Sequence, residues 1–199
     1  MKKSLILAAL CLSVMATGAS AAGNWTGSLG AGVGMPTGDF GDAWGSGFLG
    51  TAAADYWLSD KVSVGLGFGW LSSGRSEDLS GEGDLSFMNY EARTQYMFPM
   101  SGALHPYVVG GLGMYMAGTE VTPTPGGPTT ESDDSFFGMR GGLGLAWSMS
   151  PAMKLMAEGS YHHVMTDKDK FGIDAAPFFG ITGGVQYAFG GNGAPKSGQ

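Results

Sequence analysis

Cysteine occurs once in the 199 residues, at Cys11. That position falls in the N-terminal segment, so the rest of the chain offers no disulfide, no thiolate metal ligand and no cysteine nucleophile. Charge is scarce too. Asp, Glu, Lys and Arg together make 14% of the chain, where an ordinary soluble domain carries about 25%. The 10 basic residues are outnumbered by 17 acidic ones, for a net charge of −7. A phosphate backbone needs clustered Lys and Arg, so a nucleic-acid partner is excluded. Beyond the N-terminal segment there is no apolar run of about 18 residues, and hence no candidate transmembrane helix.

What is abundant is glycine, 37 residues, with aromatics at 12%. The glycines keep no period of three, which rules out collagen. Low charge with many aromatics is the reverse of a disordered composition. Lys2 and Lys3, the apolar stretch Ser4–Met15 and the Ala19-Ser20-Ala21 site predict an export signal peptide over residues 1–22. Leu10 before Cys11 is too bulky for a lipoprotein signal, so no lipid anchor is expected. Residues 23–189 are expected to form one domain, and residues 190–199 a disordered C-terminal tail.

Within residues 23–189, eight segments alternate bulky with small or polar residues, the period of a β-strand. They lie near 25–35, 48–56, 62–70, 87–98, 107–116, 136–147, 155–163 and 178–189. The bulky series of the third reads Val62, Val64, Leu66, Phe68, Trp70, and that of the eighth Phe179, Ile181, Gly183, Val185, Tyr187, Phe189. A secreted β-sandwich could also alternate this way. Two features favour a membrane barrel instead. Short connections (Leu58–Lys61, Pro99–Leu104, Met149–Met153) alternate with long ones (Pro36–Ser46, Ser72–Asp84, Gly118–Asp134, Thr166–Ala176). That is the asymmetry of periplasmic turns and outer loops. Aromatics on the bulky face also fall at strand ends. Trp25, Tyr56, Phe98, Trp147 and Phe189 gather at the short-turn rim, and Phe48, Trp70, Phe137 and Phe179 near the other, as two interfacial girdles. The expected fold is an all-β, eight-stranded antiparallel up-and-down transmembrane β-barrel.

Three motifs carry a family resemblance: Pro36-Thr37-Gly38-Asp39-Phe40-Gly41, Tyr161-His162-His163, and the closing Gly183-Gly184-Val185-Gln186-Tyr187-Ala188-Phe189-Gly190. With them the whole exported chain resembles the eight-stranded outer-membrane β-barrel family typified by the OmpA transmembrane domain. The resemblance implies a bacterial outer membrane, insertion by the barrel-insertion machinery, and contact with outer-membrane lipid and lipopolysaccharide. A monomer is expected. One departure stands out: family members often end on an aromatic that the machinery reads, whereas Gly190–Gln199 follow Phe189 here. No peptidoglycan-binding domain follows the barrel, so a wall-anchoring role does not carry over.

Small barrels have room inside only for side chains or one small ligand. The inward charges are Asp55, Glu91, Arg93, Arg140, Lys154 and Glu158, three acids and three bases. Balanced charges of this kind are expected to pair into a lumen network, since an isolated buried charge is costly. Glu91, Arg93, Arg140 and Glu158 are expected to form its centre. The network reads either as a plug or as a gate whose pairs exchange partners. Inward glycines (Gly30, Gly32, Gly34, Gly65, Gly67, Gly69, Gly180, Gly184) face bulky Phe87, Tyr107, Tyr115 and Phe136. This reads as large-against-small packing, or as a water-filled cavity on the glycine side.

Glu158, Ser160 and His162 share one face of strand 7 and supply the residue types of a hydrolytic triad. Residues two apart on one strand converge poorly, and the face points inward, so no enzyme is expected. Asp167–Gly172 partly matches a calcium loop, but Phe171 and Phe178 occupy ligand positions, and no specific metal site or cofactor follows. The long loops are acid-rich, a surface suited to divalent-cation bridging to lipopolysaccharide. A barrel with a structural or surface-interaction role is therefore expected. A narrow porin-like pore or small-solute carrier is the first alternative, and a lipid A-modifying barrel enzyme the second.

Overall fold

The computed structural model describes residues 25–75, 82–122, 130–168 and 173–189. The expected signal peptide (1–22) and C-terminal tail (190–199) lie outside the described residues. Eight strands follow one another: β1 (Trp25–Pro36), β2 (Gly47–Trp57), β3 (Val62–Gly74), β4 (Glu82–Met97), β5 (Leu104–Thr122), β6 (Thr130–Ser148), β7 (Met153–Met165) and β8 (Phe178–Phe189). A five-residue helix, α1 (Asp39–Ala43), sits between β1 and β2. Each strand pairs antiparallel with the next, and β1 closes on β8 from Trp25↔Phe189 to Pro36↔Phe178. Closure leaves no open sheet edge, which is what permits a sheet to cross hydrocarbon.

Alternation decides which side chain faces where. On β8, Val185 is 42% exposed and points outward, whereas Gln186 beside it is 2% exposed and points into the lumen. Ile181 on the same strand and Leu29, Leu66, Leu112 and Leu143 on others project outward, and Asp55, Gln95, Tyr107, Tyr115 and His162 inward. The outer surface is thus apolar all round, a surface suited only to lipid.

Two of the expected long loops differ from the sequence reading. The segment Ser72–Asp84 is partly strand, pairing Ser72↔Ser86 and Gly74↔Asp84. Gly118–Asp134 is largely a continued hairpin, paired out to Val121↔Thr130. Thr119, Val121, Thr122 and Thr130 are β-branched and favour extended backbone over a loop. The sheet therefore continues beyond the lipid-facing zone on the long-loop side.

The lumen core has two apolar clusters. Toward the long loops lie Phe40, Leu49, Leu71, Leu85, Phe87, Tyr115, Phe136, Val164 and Phe178. Toward the short turns lie Trp57, Met97, Tyr107, Val109 and Ala146. Helix α1 closes the first. Phe40 is 0% exposed, with its ring edge-on to Phe87 at 5.5 Å. Gly38 holds φ at +60°, a conformation open to glycine, where the chain turns into α1. Backbone bonds from Thr37 to Pro177 (3.0 Å) and from Gly45 to Gly74 (3.0 Å) fasten the segment to neighbouring strands.

Candidate functional site

The charged section lies between those clusters. Along β4 the inward order is Leu85, Phe87, Asn89, Glu91, Arg93, Gln95, Met97, and along β6 the inward side chains include Phe136, Arg140 and Ala146 in that order. Arg140 is the hub. Its Nη1 donates to Glu91 Oε1 at 2.6 Å, and its Nη2 donates to Glu158 Oε1. Glu158 Oε2 accepts from the Tyr107 hydroxyl at 3.1 Å. Arg93 belongs to a second pair: its Nε lies 3.3 Å from Asp55 Oδ1, and its Nη2 donates to Gln95 Oε1 at 3.3 Å. Glu91 and Arg93, two apart on one strand, take different partners. Lys154 stands apart from both groups. Its Nζ is 3.5 Å from Met97 Sδ and 5.7 Å from the centre of the Trp57 ring.

Glycine on the intervening strand makes these contacts possible. Asp55 and Arg93 sit on β2 and β4, and both register with Gly65 on β3. Glu91 and Arg140 sit on β4 and β6, facing Gly113 and Gly111 of β5. Tyr107 on β5 and Glu158 on β7 both register with Gly144 of β6. Tyr115 reaches over Gly138 to His162 Nδ1 at 2.9 Å. An inward position without a side chain lets polar groups of the two flanking strands meet across it. A Cβ on Gly138 would lie 2.6 Å from the Tyr115 ring and 3.0 Å from the His163 carbonyl. Gly138→Ala is therefore expected to destabilise the barrel by about 1–3 kcal/mol, the cost of overpacking. The outward Gly141, with nothing within 4 Å of its would-be Cβ, should accept Ala without loss. Denaturant titrations of the two variants in one lipid check the contrast.

Beside the charges is a cavity of about 30 Å³, bordered by Ser28, Gly30, Thr51, Arg93, Arg140 and Glu158. It has room for a few water molecules at most. Gly30 of β1 and Gly184 of β8 are among its lining residues.

Ser160 Oγ and His162 Nε2 are 3.2 Å apart, so two of the three hydrolytic residue types do meet. The third does not. Glu158 is engaged by Arg140 and Tyr107, while the other His162 nitrogen faces Tyr115. The His162 ring stacks on Phe178 at 4.2 Å, and both Ser160 and His162 are buried. No carboxylate orients the imidazole and no acyl chain can reach the hydroxyl, so this cluster lacks the geometry of acyl transfer. Among the described residues no group of three His, Asp or Glu could hold a metal ion. The calcium-loop segment lies partly outside the described residues, from 169 to 172.

The aromatic residues take their places on the outer face. Trp25 registers with both Tyr56 and Phe189, and its ring lies 5.3 Å from that of Tyr56. Trp147 pairs with Leu104, and Phe98 stacks edge-on to Tyr96 at 5.0 Å. At the other rim Phe48 meets Trp70 at 6.0 Å, and Tyr161 meets Phe179 at 4.9 Å. Phe137 registers with Met165. Trp70 Nε1 donates to Ser86 Oγ at 3.0 Å, which satisfies its one polar group.

The family model for the outer membrane protein β-barrel domain matches residues 6–189. This chain belongs to that family. The family places it in the bacterial outer membrane as a transmembrane β-barrel. Among solved structures, Neisserial surface protein A aligns at TM-score 0.62 and 18% identity, over 83% of this chain and 97% of that one. OprG of Pseudomonas aeruginosa aligns at 0.57 and 15%, over 85% and 98%. Ail, the attachment invasion locus protein of Yersinia pestis, solved with the heparin analogue sucrose octasulfate, aligns at 0.54 and 17%, over 84% and 99%. At such identities the likeness is one of fold. A comparison with curated proteins gives no match.

Proposed function

We propose that this protein is a monomeric, non-enzymatic barrel whose lumen is a plug and whose working surface is its outer loops. The observation that supports the reading is the order of side chains along the lumen. The Asp55–Arg93 pair and the Glu91–Arg140–Glu158 triad sit between two apolar clusters, with Phe40 over the outer one. In this reading the paired charges hold the wall rather than conduct through it. Export uses the signal peptide over residues 1–22, and the barrel-insertion machinery folds residues 23–189. The aromatic rims set the depth in lipid.

The loops point to the kind of contact made outside. Ail was solved with a sulfated polyanion. The long-loop side of this chain carries in its sequence Asp39, Asp42, Asp84, Glu131, Asp133 and Asp174 against few bases, and so repels such ligands. Divalent cations can join these carboxylates to anionic lipopolysaccharide. A narrow pore is the second reading, favoured by the small cavity beside Arg93, Arg140 and Glu158.

A deletion strain tests the role. Its lipid A acylation and its uptake of small hydrophilic solutes should match the parent, while its sensitivity to chelator should change. A missing acyl species would assign the protein to lipid A modification instead. Slower solute uptake would favour the pore.

A further inference from the structure

Apolar residues at the three short turns have no part in the barrel core. Leu58 is 60% exposed, Met100 49% and Met149 52%. Among the described residues, every exposed large apolar side chain outside a strand belongs to these turns: Leu58, Phe98, Met100 and Met149. Their parity is that of the lipid-facing surface. Leu58 follows Tyr56 by two positions, Met100 follows Phe98, and Met149 follows Trp147. The Leu58 and Met149 turns are also built alike. The Leu58 and Met149 amides donate to the Val62 and Met153 carbonyls, at 2.9 and 3.0 Å. Ser59 Oγ accepts from the Lys61 and Val62 amides, and Ser150 Oγ from the Ala152 and Met153 amides. Each hydroxyl ties down its own turn, leaving the apolar neighbour projecting.

Depth is the deciding quantity. Two residues along a strand tilted near 40° descend about 5 Å below the aromatic rim. The headgroup layer on one side of a bilayer is about 5–7 Å thick. Side chains at this depth lie within the headgroup layer and do not stand in bulk water. We infer that the three short turns are interfacial anchors, with Leu58, Met100 and Met149 bound in the headgroup layer of the inner, phospholipid leaflet of the outer membrane. Continuity with the lipid-facing wall favours lipid over a periplasmic protein. Each turn extends that wall at its own point around the rim, and the three points offer no single contiguous face to a partner.

Reconstitution of the full chain in phosphatidylethanolamine–phosphatidylglycerol vesicles tests this in two ways. In the unaltered protein, peroxide oxidation of Met100 and Met149 is followed by mass spectrometry. Both should react about tenfold or more slowly than in the urea-unfolded chain, as apolar side chains withdrawn from water do. Any smaller slowing overturns the inference. In a Cys11→Ser background, nitroxide labels at Leu58→Cys and Asp60→Cys are compared on the same turn. The label at 58 should collide more with oxygen than with a water-soluble nickel chelate, and the label at 60 the reverse. Nickel preference at both positions overturns the inference and leaves these side chains free for a periplasmic protein.

Discussion

Arg140→Met should destabilise the folded barrel by about 3–5 kcal/mol, the cost of leaving buried charge uncompensated. The variant strands two carboxylates at once, since Arg140 bonds both Glu91 and Glu158. Methionine keeps much of the side-chain length, so the loss reports charge rather than volume. Neutralising the acids as well, in Arg140→Met with Glu91→Gln and Glu158→Gln, should recover much of the stability. The summed single effects should exceed the effect of the combined variant, as for residues in one network. Urea titration in a single lipid, read by tryptophan fluorescence, measures all of these. Strict additivity, or a cost below about 1 kcal/mol for Arg140→Met, would show that the triad stabilises little.

Val185→Arg should cost about 2–4 kcal/mol, because at a lipid-facing midplane position the guanidinium has no polar partner. Val185 lies midway along β8, between Phe179 and Phe189, and registers with Leu29 and Leu155, outward residues of the flanking strands. Gln186→Leu is the matched lumen change. Gln186 is buried, neither of its amide atoms has a hydrogen-bond partner among the described residues, and leucine is close in size. Removing polar atoms that make no protein bond costs little and can stabilise. The pair is read by folding yield into bilayers, where folded and unfolded forms separate by gel mobility without boiling. If Gln186→Leu is the more damaging, the register of β8 is off by one and its two faces exchange.

The barrel was legible because a two-residue period survives in every strand. Closing β1 on β8 needed only the matched lengths of Trp25–Pro36 and Phe178–Phe189. The outer lumen was harder. Leu71 and Leu85 have inward parity but fall just outside the alternating segments 62–70 and 87–98, and Leu49 lies at the very start of 48–56. They form an apolar core only because Phe40 packs over it, and a five-residue helix in a Gly-rich loop has no periodic signal. Partner choice among the lumen charges was also hidden. Sequence proximity points Arg93 toward Glu91, whereas Gly65 opens a path across β3 to Asp55. That path depends on strand register, which no single strand's pattern contains. Lys154 has the right parity but lies one level lower, against Met97 and Trp57.

The central claim is a lumen closed by side chains. Planar-bilayer recording of the purified, full-length protein tests it most directly. No sustained conductance is predicted from the unaltered chain at moderate voltage, because in the proposed plug the two apolar clusters and the paired charges together block the lumen. Stable, reproducible open steps from the unaltered protein would contradict it, and would make the cavity beside Arg93, Arg140 and Glu158 part of an ion path.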